Sequence, residues 1–240
     1  MTKDKTTSGS REMAVRLKTA RKRTTSQQKW LQRQLNDPYV AKAKAAGYKS
    51  RAAFKLVEID DKYKLLKPGQ RIVDLGAAPG GWCQVAAERI RSTQEDVRIV
   101  GIDLIDIDPL PGVDFIQLDF TLPEADDILK QKLGGLADGV ISDMAANTTG
   151  HKATDHLKII GLGEMAAAFA RDVLAQGGFF LCKLFQGGET VNLLNDLKRD
   201  FATVRHVKPA ASRAGSSELY VLATGFRGVP LDDADTEDDE

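Results

Sequence analysis

The segment Asp74–Trp82, with the sequence DLGAAPGGW, has the composition of a turn that binds a nucleotide-like cofactor. Glycines let the backbone approach a ligand closely, and the free N–H groups at the start of a helix favour the ligand's polar end. A dinucleotide site would instead have the spacing G-x-G-x-x-G around a pyrophosphate. The carboxylate before this turn would repel a pyrophosphate, but it suits a cofactor with a cationic amino-acid end, such as S-adenosylmethionine. The candidate cofactor residues in this segment are Asp74, Gly76, Pro79, Gly80, Gly81 and Trp82.

Acidic residues at the ends of the following apolar runs could complete this cofactor site. In a sheet of parallel strands, ligands bind at the carboxyl ends of the strands. Asp103 lies 23 residues after Gly80, where an acid commonly accepts hydrogen bonds from ribose hydroxyls. Asp119 could accept a hydrogen bond from the adenine amino group, with Phe120 beside the ring, and Asp143 ends another run. A single acid could simply cap a helix, but acids at successive strand ends indicate a shared site.

Lys183 has the clearest catalytic potential of any single residue. It lies in the apolar run Gly178–Phe185, which has the composition of a central buried strand. Burying an ammonium group costs several kcal/mol unless the group is paired, so a lysine here is expected to have a function. The alternative is that Lys183 is the first solvated residue beyond the strand. Glu218 could reach the same pocket from a neighbouring strand, although it could also be an ordinary strand-end carboxylate.

The elements that must position these residues alternate between apolar runs and helical patterns from Gln70 onward. This alternation predicts an α/β fold with a doubly wound, mostly parallel, seven-stranded sheet and helices on both faces. Residues 208–217 are too few for a crossover helix, so the last two strands should form an antiparallel hairpin at the sheet edge. This plan is the Rossmann-like fold of class I S-adenosylmethionine-dependent methyltransferases. The predicted strands are Arg71–Asp74, Arg98–Ile102, Asp114–Gln117, Gly139–Ser142, Gly178–Leu184, Thr203–Val207 and Leu219–Ala223; the predicted helices are Gly81–Arg91, Leu122–Leu133, Asp155–Ala175 and Glu189–Phe201.

Three further helices are predicted ahead of the sheet, over Ser26–Leu35, Pro38–Ala46 and Arg51–Leu66, with Ser50 as the N-cap of the third. The polar residues before them lack a periodic apolar pattern and are expected to be disordered. We therefore divide the chain into a basic arm (1–25), one folded domain (26–228) and an acidic, disordered tail (229–240).

Charge and cysteine content restrict the partners and the compartment. The chain has 34 basic and 34 acidic residues, but residues 1–55 contain fifteen bases and three acids, and residues 231–240 contain seven acids and no base. This asymmetry indicates a polyanionic partner for the N-terminal region. Cys83 and Cys182 offer neither a disulfide framework nor a metal site, and they fit a reducing compartment. Without a signal peptide or a membrane-spanning run, we expect a cytoplasmic protein that holds no metal.

Five segments, in order along the chain, resemble the FtsJ/RrmJ (RlmE-type) family of large-subunit ribosomal RNA 2′-O-ribose methyltransferases. They are Lys49–Leu56, Asp74–Trp82, Asp143-Met144, Leu181–Phe185 and Lys208–Glu218. The resemblance runs from about Trp30 to Gly225, and the motifs are specific in combination. The arm and the acidic tail lie outside the family pattern.

The resemblance implies a catalytic tetrad of Lys55, Asp143, Lys183 and Glu218. For Lys55, only the resemblance indicates a catalytic role, because without it this residue would be interpreted as a solvent-exposed lysine on a helix. The resemblance also implies that Gly80, Trp82, Asp103, Asp119 and Asp143 contact S-adenosylmethionine. It implies a uridine of 23S ribosomal RNA in the large ribosomal subunit as the target, with the helices at 26–69 contacting RNA. Lys183 would activate the ribose hydroxyl, either as a neutral base or as a cation, in a protein that we expect to be monomeric.

Alternative functions remain open at this point. The RNA substrate could be transfer RNA or another RNA, and a chain with this fold could also be a ribosome-assembly RNA-binding protein without turnover. An intact tetrad and cofactor turn favour the enzyme. A small-molecule methyltransferase is disfavoured because it offers no function for the basic arm.

Overall fold

A computed structural model describes residues 24–145, 152–185, 190–213 and 215–228. Within these residues the chain forms seven helices and seven strands. The helices are α1 (Thr25–Leu35), α2 (Pro38–Ala46), α3 (Ala53–Tyr63), α4 (Gly81–Ile90), α5 (Ala125–Leu133), α6 (Lys152–Val173) and α7 (Val191–Asp200). The strands are β1 (Ile72–Leu75), β2 (Ile99–Asp103), β3 (Val113–Gln117), β4 (Ala137–Ser142), β5 (Leu174–Phe185), β6 (Phe201–Val207) and β7 (Glu218–Phe226).

The strands form one sheet in the order β3-β2-β1-β4-β5-β7-β6. Strands β1 to β5 pair in parallel, whereas β7 is antiparallel to both β5 and β6. The predicted α/β class, the mostly parallel sheet and the terminal hairpin are confirmed. Strand β7 lies between β5 and β6, so β7 covers the edge of β5, and β6 forms one edge of the sheet.

Alternation along the strands assigns side chains to two core layers. Val73 and Leu75 of β1 pack in the layer that contains α5, α6 and α7, whereas Ile72 packs in the layer that contains α3 and α4. The same alternation directs Tyr220 of β7 into the α3–α4 layer. Lys183 lies between two residues of the opposite layer, and it therefore faces the α3–α4 side as well.

Helix α3 begins later than the sequence predicts. Its first residue is Ala53 and its N-cap is Ala52, without a side-chain cap hydrogen bond, so Ser50 as N-cap is wrong. The Ser50 hydroxyl instead lies 2.6 Å from the position that a Cβ on Gly81 would occupy. The helix ends at Tyr63 because Lys64 adopts a left-handed conformation with φ 54°.

The predicted arm and tail fall almost entirely outside the described residues. Residues 1–23 and 229–240 are not described, and α1 begins at Thr25 with Thr24 as its N-cap. In the part of the chain that the structure describes, no helix combines the length and apolar character needed to cross a membrane.

Candidate active site

Four charged side chains meet at the carboxyl ends of β4 and β5. Lys55 comes from α3, Asp143 follows β4, Lys183 lies in β5 and Glu218 begins β7. The Lys55 Nζ atom lies 2.8 Å from Glu218 Oε2 and 3.7 Å from Asp143 Oδ1. The Lys183 Nζ atom lies 3.1 Å from the same Asp143 oxygen, and it also donates a hydrogen bond to the Asp143 backbone carbonyl. These four residues are hereafter called the charged cluster.

The charged cluster is largely shielded from solvent and balanced in formal charge. The exposed fraction of its side chains ranges from 7% for Lys183 to 17% for Asp143. Removing such groups from water costs free energy, and the cost is offset only where each charge has partners with good geometry. Two cations face two anions at contact distance here. The cluster can therefore keep an ammonium group in a shielded site without leaving it unpaired.

Two uncharged residues complete the cluster, and neither of them was predicted as a site residue from the sequence. Tyr220 Oη donates a hydrogen bond to Asp143 Oδ1 at 2.7 Å, and Ser212 Oγ donates one to Glu218 Oε1 at 2.8 Å. Burial, reinforced by the neighbouring carboxylates Asp143 and Glu218, raises the pKa of Tyr220 well above its ordinary value, so it remains a hydrogen-bond donor. Tyr220 lies two residues after Glu218 on a predicted strand, and this spacing indicates that the two side chains lie on the same face of the sheet.

A cavity of about 340 Å³ adjoins the charged cluster at the carboxyl ends of β1, β2 and β4. This volume falls within the roughly 300–1,000 Å³ of typical small-molecule sites. We call it the strand-end cavity. Asp143 borders both the cavity and the charged cluster. The cavity is lined by Gly76, Ala78, Ile102, Asp103, Leu104, Ile105, Leu118, Asp119, Phe120, Thr121, Asp143, Met144, Ala145 and Leu162.

The backbone at the cavity wall requires glycine. Gly76 has φ 80°, and a Cβ there would lie 2.6 Å from Met144 Cγ and 2.9 Å from Met144 Cα. Any larger residue would therefore be strained and would collide with the segment that follows β4. The absence of a side chain at Gly76 lets Met144 pack directly against the turn at the cavity wall.

Asp103 and Asp119 are positioned by backbone hydrogen bonds. The two Asp103 oxygens accept the N–H groups of Ala78 at 2.9 Å and Ile105 at 3.0 Å. Asp119 Oδ1 accepts the backbone N–H and the hydroxyl of Thr121, and these hydrogen bonds lower the pKa of Asp119. A carboxylate has about four acceptor positions, so each residue retains positions for a ligand.

A wider cleft of about 990 Å³ lies between α1, the start of α2 and residues 210–213. We call it the N-terminal cleft. Asp37 forms ion pairs with Arg51 at 2.8 Å and Arg213 at 3.3 Å, and Arg33 also lines the cleft. Ser212 borders the cleft and holds Glu218, so the cleft reaches the charged cluster.

Comparison with known proteins identifies the family. The sequence profile described as FtsJ-like methyltransferase matches residues 48–226. The chain belongs to the FtsJ-like methyltransferase family. It is 66% identical, over 91% of this chain and 86% of the relative, to Ribosomal RNA large subunit methyltransferase E of Xanthobacter autotrophicus. The protein of the same name from Azorhizobium caulinodans is 62% identical, over 96% of this chain and 94% of the relative.

A solved structure of a more distantly related protein also has this fold. The crystal structure of a Plasmodium falciparum protein described as a ribosomal RNA methyltransferase is 34% identical to this methyltransferase, with a TM-score of 0.66. The match covers 76% of this chain and the full length of that one. The predicted family and the methyltransferase fold are therefore confirmed.

The residues predicted to bind the methyltransferase's cofactor fall into two groups. Gly76, Asp103, Asp119, Phe120 and Asp143 line the strand-end cavity, whereas Asp74, Pro79, Gly80, Gly81 and Trp82 do not. The Phe120 ring is largely buried against Phe169, in a T-shaped contact.

The Trp82 indole donates a hydrogen bond to the Ala52 carbonyl at 2.8 Å and lies beside Tyr220. Trp82 thus fixes α3, which carries Lys55, and a contact of Trp82 with the cofactor stays a prediction.

Asp74 is fully buried beneath the turn. Its Oδ2 accepts a hydrogen bond from Cys83 Sγ at 3.1 Å, and its Oδ1 has no hydrogen-bond partner within the described chain. Burial raises the pKa of Asp74 to about 7, with smaller contributions from Asp143 and Asp103. A role for Asp74 at the cationic end of the cofactor stays a prediction. In the described ranges, no group of three or more His, Cys, Asp or Glu side chains is arranged to hold a metal ion.

Asp103→Ala is expected to weaken binding of the methyl donor by roughly 1–3 kcal/mol, because hydroxyl groups of the ligand would lose charge-assisted hydrogen bonds. Titration calorimetry with S-adenosylhomocysteine measures this change. Asp106→Ala is the matched control, since Asp106 is exposed three residues away and does not line the strand-end cavity. Equal affinity of the Asp103 variant and the wild type would contradict the assignment, and a preference of the wild type for NAD would contradict the cofactor itself.

Proposed function

We propose that this protein transfers a methyl group from S-adenosylmethionine to the 2′-hydroxyl of a uridine ribose in 23S ribosomal RNA of the large ribosomal subunit. The observation that carries this proposal is the shared position of Asp143, which holds Lys183 and also borders the strand-end cavity. An amine that can assist a hydroxyl group thus adjoins a cavity of the right size for the methyl donor. The names of the relatives support ribosomal RNA as the substrate class.

The residues of the strand-end cavity fit S-adenosylmethionine. Asp103 would accept hydrogen bonds from the ribose hydroxyls, and Asp119 would accept one from the adenine amino group. Gly76 lets the segment that follows β4 approach the turn closely, and Gly76 itself lines the cavity. When bound, the cofactor supplies an electrophilic methyl group on a positively charged sulfur. The cavity wall near Asp143 would direct that group towards the charged cluster.

Lys183 would act on the ribose hydroxyl. A hydroxyl group is a poor nucleophile until its proton is being removed, and alignment of the reacting groups contributes much of the rate. Lys183 Nζ is held by the Asp143 carboxylate and by the Asp143 backbone carbonyl. The amine either accepts the proton of the hydroxyl or stabilises the developing alkoxide as a cation, and both roles use this geometry.

The other members of the charged cluster would orient Lys183 and balance its charge. The Asp143 carboxylate forms an ion pair with Lys183 and accepts a hydrogen bond from Tyr220, and these two contacts fix its orientation. Lys55 is held by Glu218 at 2.8 Å and lies 3.7 Å from Asp143. A second cation close to the reacting oxygen would favour the alkoxide over the neutral hydroxyl.

The N-terminal cleft would contact the RNA backbone. Arg33, Arg51 and Arg213 line it, and arginine binds phosphate groups in a bidentate manner. RNA is recognised largely through phosphates, ribose hydroxyls and single-stranded regions, so a target nucleotide displaced from its stack could reach Lys183 while its neighbours lie in the cleft. The free thiols of Cys83 and Cys182 fit the cytoplasm, where we place this protein as a monomer.

The decisive experiment is incubation of the protein with radiolabelled S-adenosylmethionine and unmethylated large ribosomal subunits, followed by mapping of ribose methylation. We expect one labelled uridine in 23S RNA. Parallel reactions with total transfer RNA test the alternative substrate. Binding of subunits without incorporation of label would support an assembly protein without turnover and contradict the enzyme.

Deleting residues 1–23 is expected to raise the apparent KM for ribosomal subunits and to flatten its salt dependence, with kcat nearly unchanged. The sequence places eight of the basic side chains in this segment, and each phosphate contact releases counterions on binding. The deletion ends before Thr24, because Thr24 and Gln27 form the capping box of α1. Initial rates at several salt concentrations test this. If the deletion leaves the salt dependence of KM unchanged, the RNA contacts lie in the folded domain and the prediction is wrong.

A further inference from the structure

Ser212 is a buried serine between β6 and β7 that takes no direct part in the proposed proton transfer. The residue is 7% exposed, and its Oγ donates a hydrogen bond to Glu218 Oε1 at 2.8 Å. The other carboxylate oxygen, Oε2, accepts the hydrogen bond from Lys55 Nζ at 2.8 Å. The Glu218 carboxylate is therefore held by one donor on each oxygen, and the two donors come from distant parts of the chain.

The loop that carries Ser212 is fastened to α3, the helix that carries Lys55. The Ala211 N–H donates to Glu58 Oε2 at 2.8 Å, and Arg51 donates to the Ala211 carbonyl. The Ser212 N–H donates to the Pro209 carbonyl at 2.9 Å, which closes the turn. These contacts set the position of Ser212 relative to the same helix from which Lys55 projects.

Without Ser212, the orientation of the Glu218 carboxylate would be poorly determined. The terminal torsion of a glutamate side chain is broad, so a single hydrogen bond leaves the carboxylate free to rotate. Ser216 Oγ accepts the backbone N–H of Glu218 at 3.2 Å, but that contact fixes the backbone and not the carboxylate. The Ser212 hydroxyl is the second point of attachment.

We propose that Ser212 is a positioning residue for methyl transfer, which orients the Glu218 carboxylate so that Oε2 faces Lys55. Ser212 acts through Glu218 and touches neither the methyl donor nor the reacting oxygen. The inference rests on the proposed function, because it assigns Ser212 a task in that reaction. It also links the N-terminal cleft to the charged cluster, since Ser212 borders both.

The first test compares single-turnover methylation of large ribosomal subunits by wild type, Ser212→Ala and Ser212→Thr. Ser212→Ala should lower the rate at saturation about 10- to 100-fold, the range for loss of one hydrogen bond to a charged group. The KM values for subunits and methyl donor should stay unchanged, and Ser212→Thr should restore most of the rate because it retains the hydroxyl. Ser217→Ala is the matched control, an exposed serine of the same loop.

The second test is a double-mutant cycle with Glu218→Ala. If Ser212 acts through Glu218, the variant carrying both changes should be no slower than Glu218→Ala alone. If the rate losses of the two single variants multiply in the double variant, Ser212 does not act through Glu218 and the inference is overturned. A raised KM or a lowered melting temperature in Ser212→Ala would indicate a scaffolding role instead. A normal rate in Ser212→Ala would also overturn the inference. Failure of the wild type to methylate any RNA would instead overturn the proposed function.

Discussion

Lys183→Ala is expected to reduce the single-turnover rate of RNA methylation by at least about 10²–10⁴-fold, the contribution typical of a positioned proton-transfer group. The fold should persist, because Asp143 would retain Lys55 and Tyr220 as partners. Affinity for S-adenosylhomocysteine should also persist, since Lys183 does not line the strand-end cavity. Rapid-quench methylation of ribosomal subunits, circular dichroism and calorimetry measure the three quantities.

The matched control is Lys132→Ala, at a lysine of α5 that pairs with Asp114 of β3 away from the charged cluster. Glu218→Ala should cost less than Lys183→Ala, because Glu218 orients Lys55 and does not act on the hydroxyl proton. A near-normal single-turnover rate in Lys183→Ala would show that its role has been assigned wrongly.

The second large effect concerns the buried carboxyl of Asp74. Burial raises its pKa from 3.8 to about 7 in the folded protein, so the folded state keeps a proton that the unfolded state has already released. The proton held by Asp74 therefore stabilises the folded state. This contribution to the free energy of unfolding is fully present below about pH 4 and is lost as the pH rises to about 7. Between pH 5 and 8 this loss amounts to roughly 3 kcal/mol.

Asp74→Asn removes the titration, so the free energy of unfolding of this variant should increase relative to wild type as pH rises from 5 to 8. Urea unfolding of both proteins at four pH values in that range gives the difference. Asp106→Asn makes the same change of side chain at an exposed position and serves as the matched control. Parallel stability curves for wild type and Asp74→Asn would contradict a raised pKa at this site.

Much of the sheet could be predicted because apolar runs, not tertiary detail, determine it. Val73 and Leu75 are apolar in a run buried on both faces, and the acids at the carboxyl ends of β2 and β4 must then lie at one edge of the sheet. Lys183 was selected for a similar reason, because a lysine within a buried run requires a partner. Its partner Asp143 was itself predicted at a strand end, but their contact at 3.1 Å depends on the sheet order.

The remaining features depend on contacts between distant segments. Serine is a common N-cap residue, but Ser50 packs against Gly81 of α4, and α3 begins three residues later. The role of Ser212 arises from a loop fastened to α3, which no local pattern reveals. Trp82 belongs to a turn motif, yet its indole holds the Ala52 carbonyl. Such contacts follow from packing across the fold, and local sequence carries little information about them.

The position of β7 between β5 and β6 has a consequence for when activity can arise during synthesis. Lys183 is paired across the sheet with Tyr220, and both Tyr220 and Glu218 belong to β7. A nascent chain that has not yet released this strand from the ribosome lacks one carboxylate, the tyrosine donor and the cover over β5. Pairing between segments far apart in sequence is also slow, because loop closure precedes the gain from contacts. The charged cluster therefore cannot be complete until β7 has been synthesised, well after the turn at Asp74–Trp82.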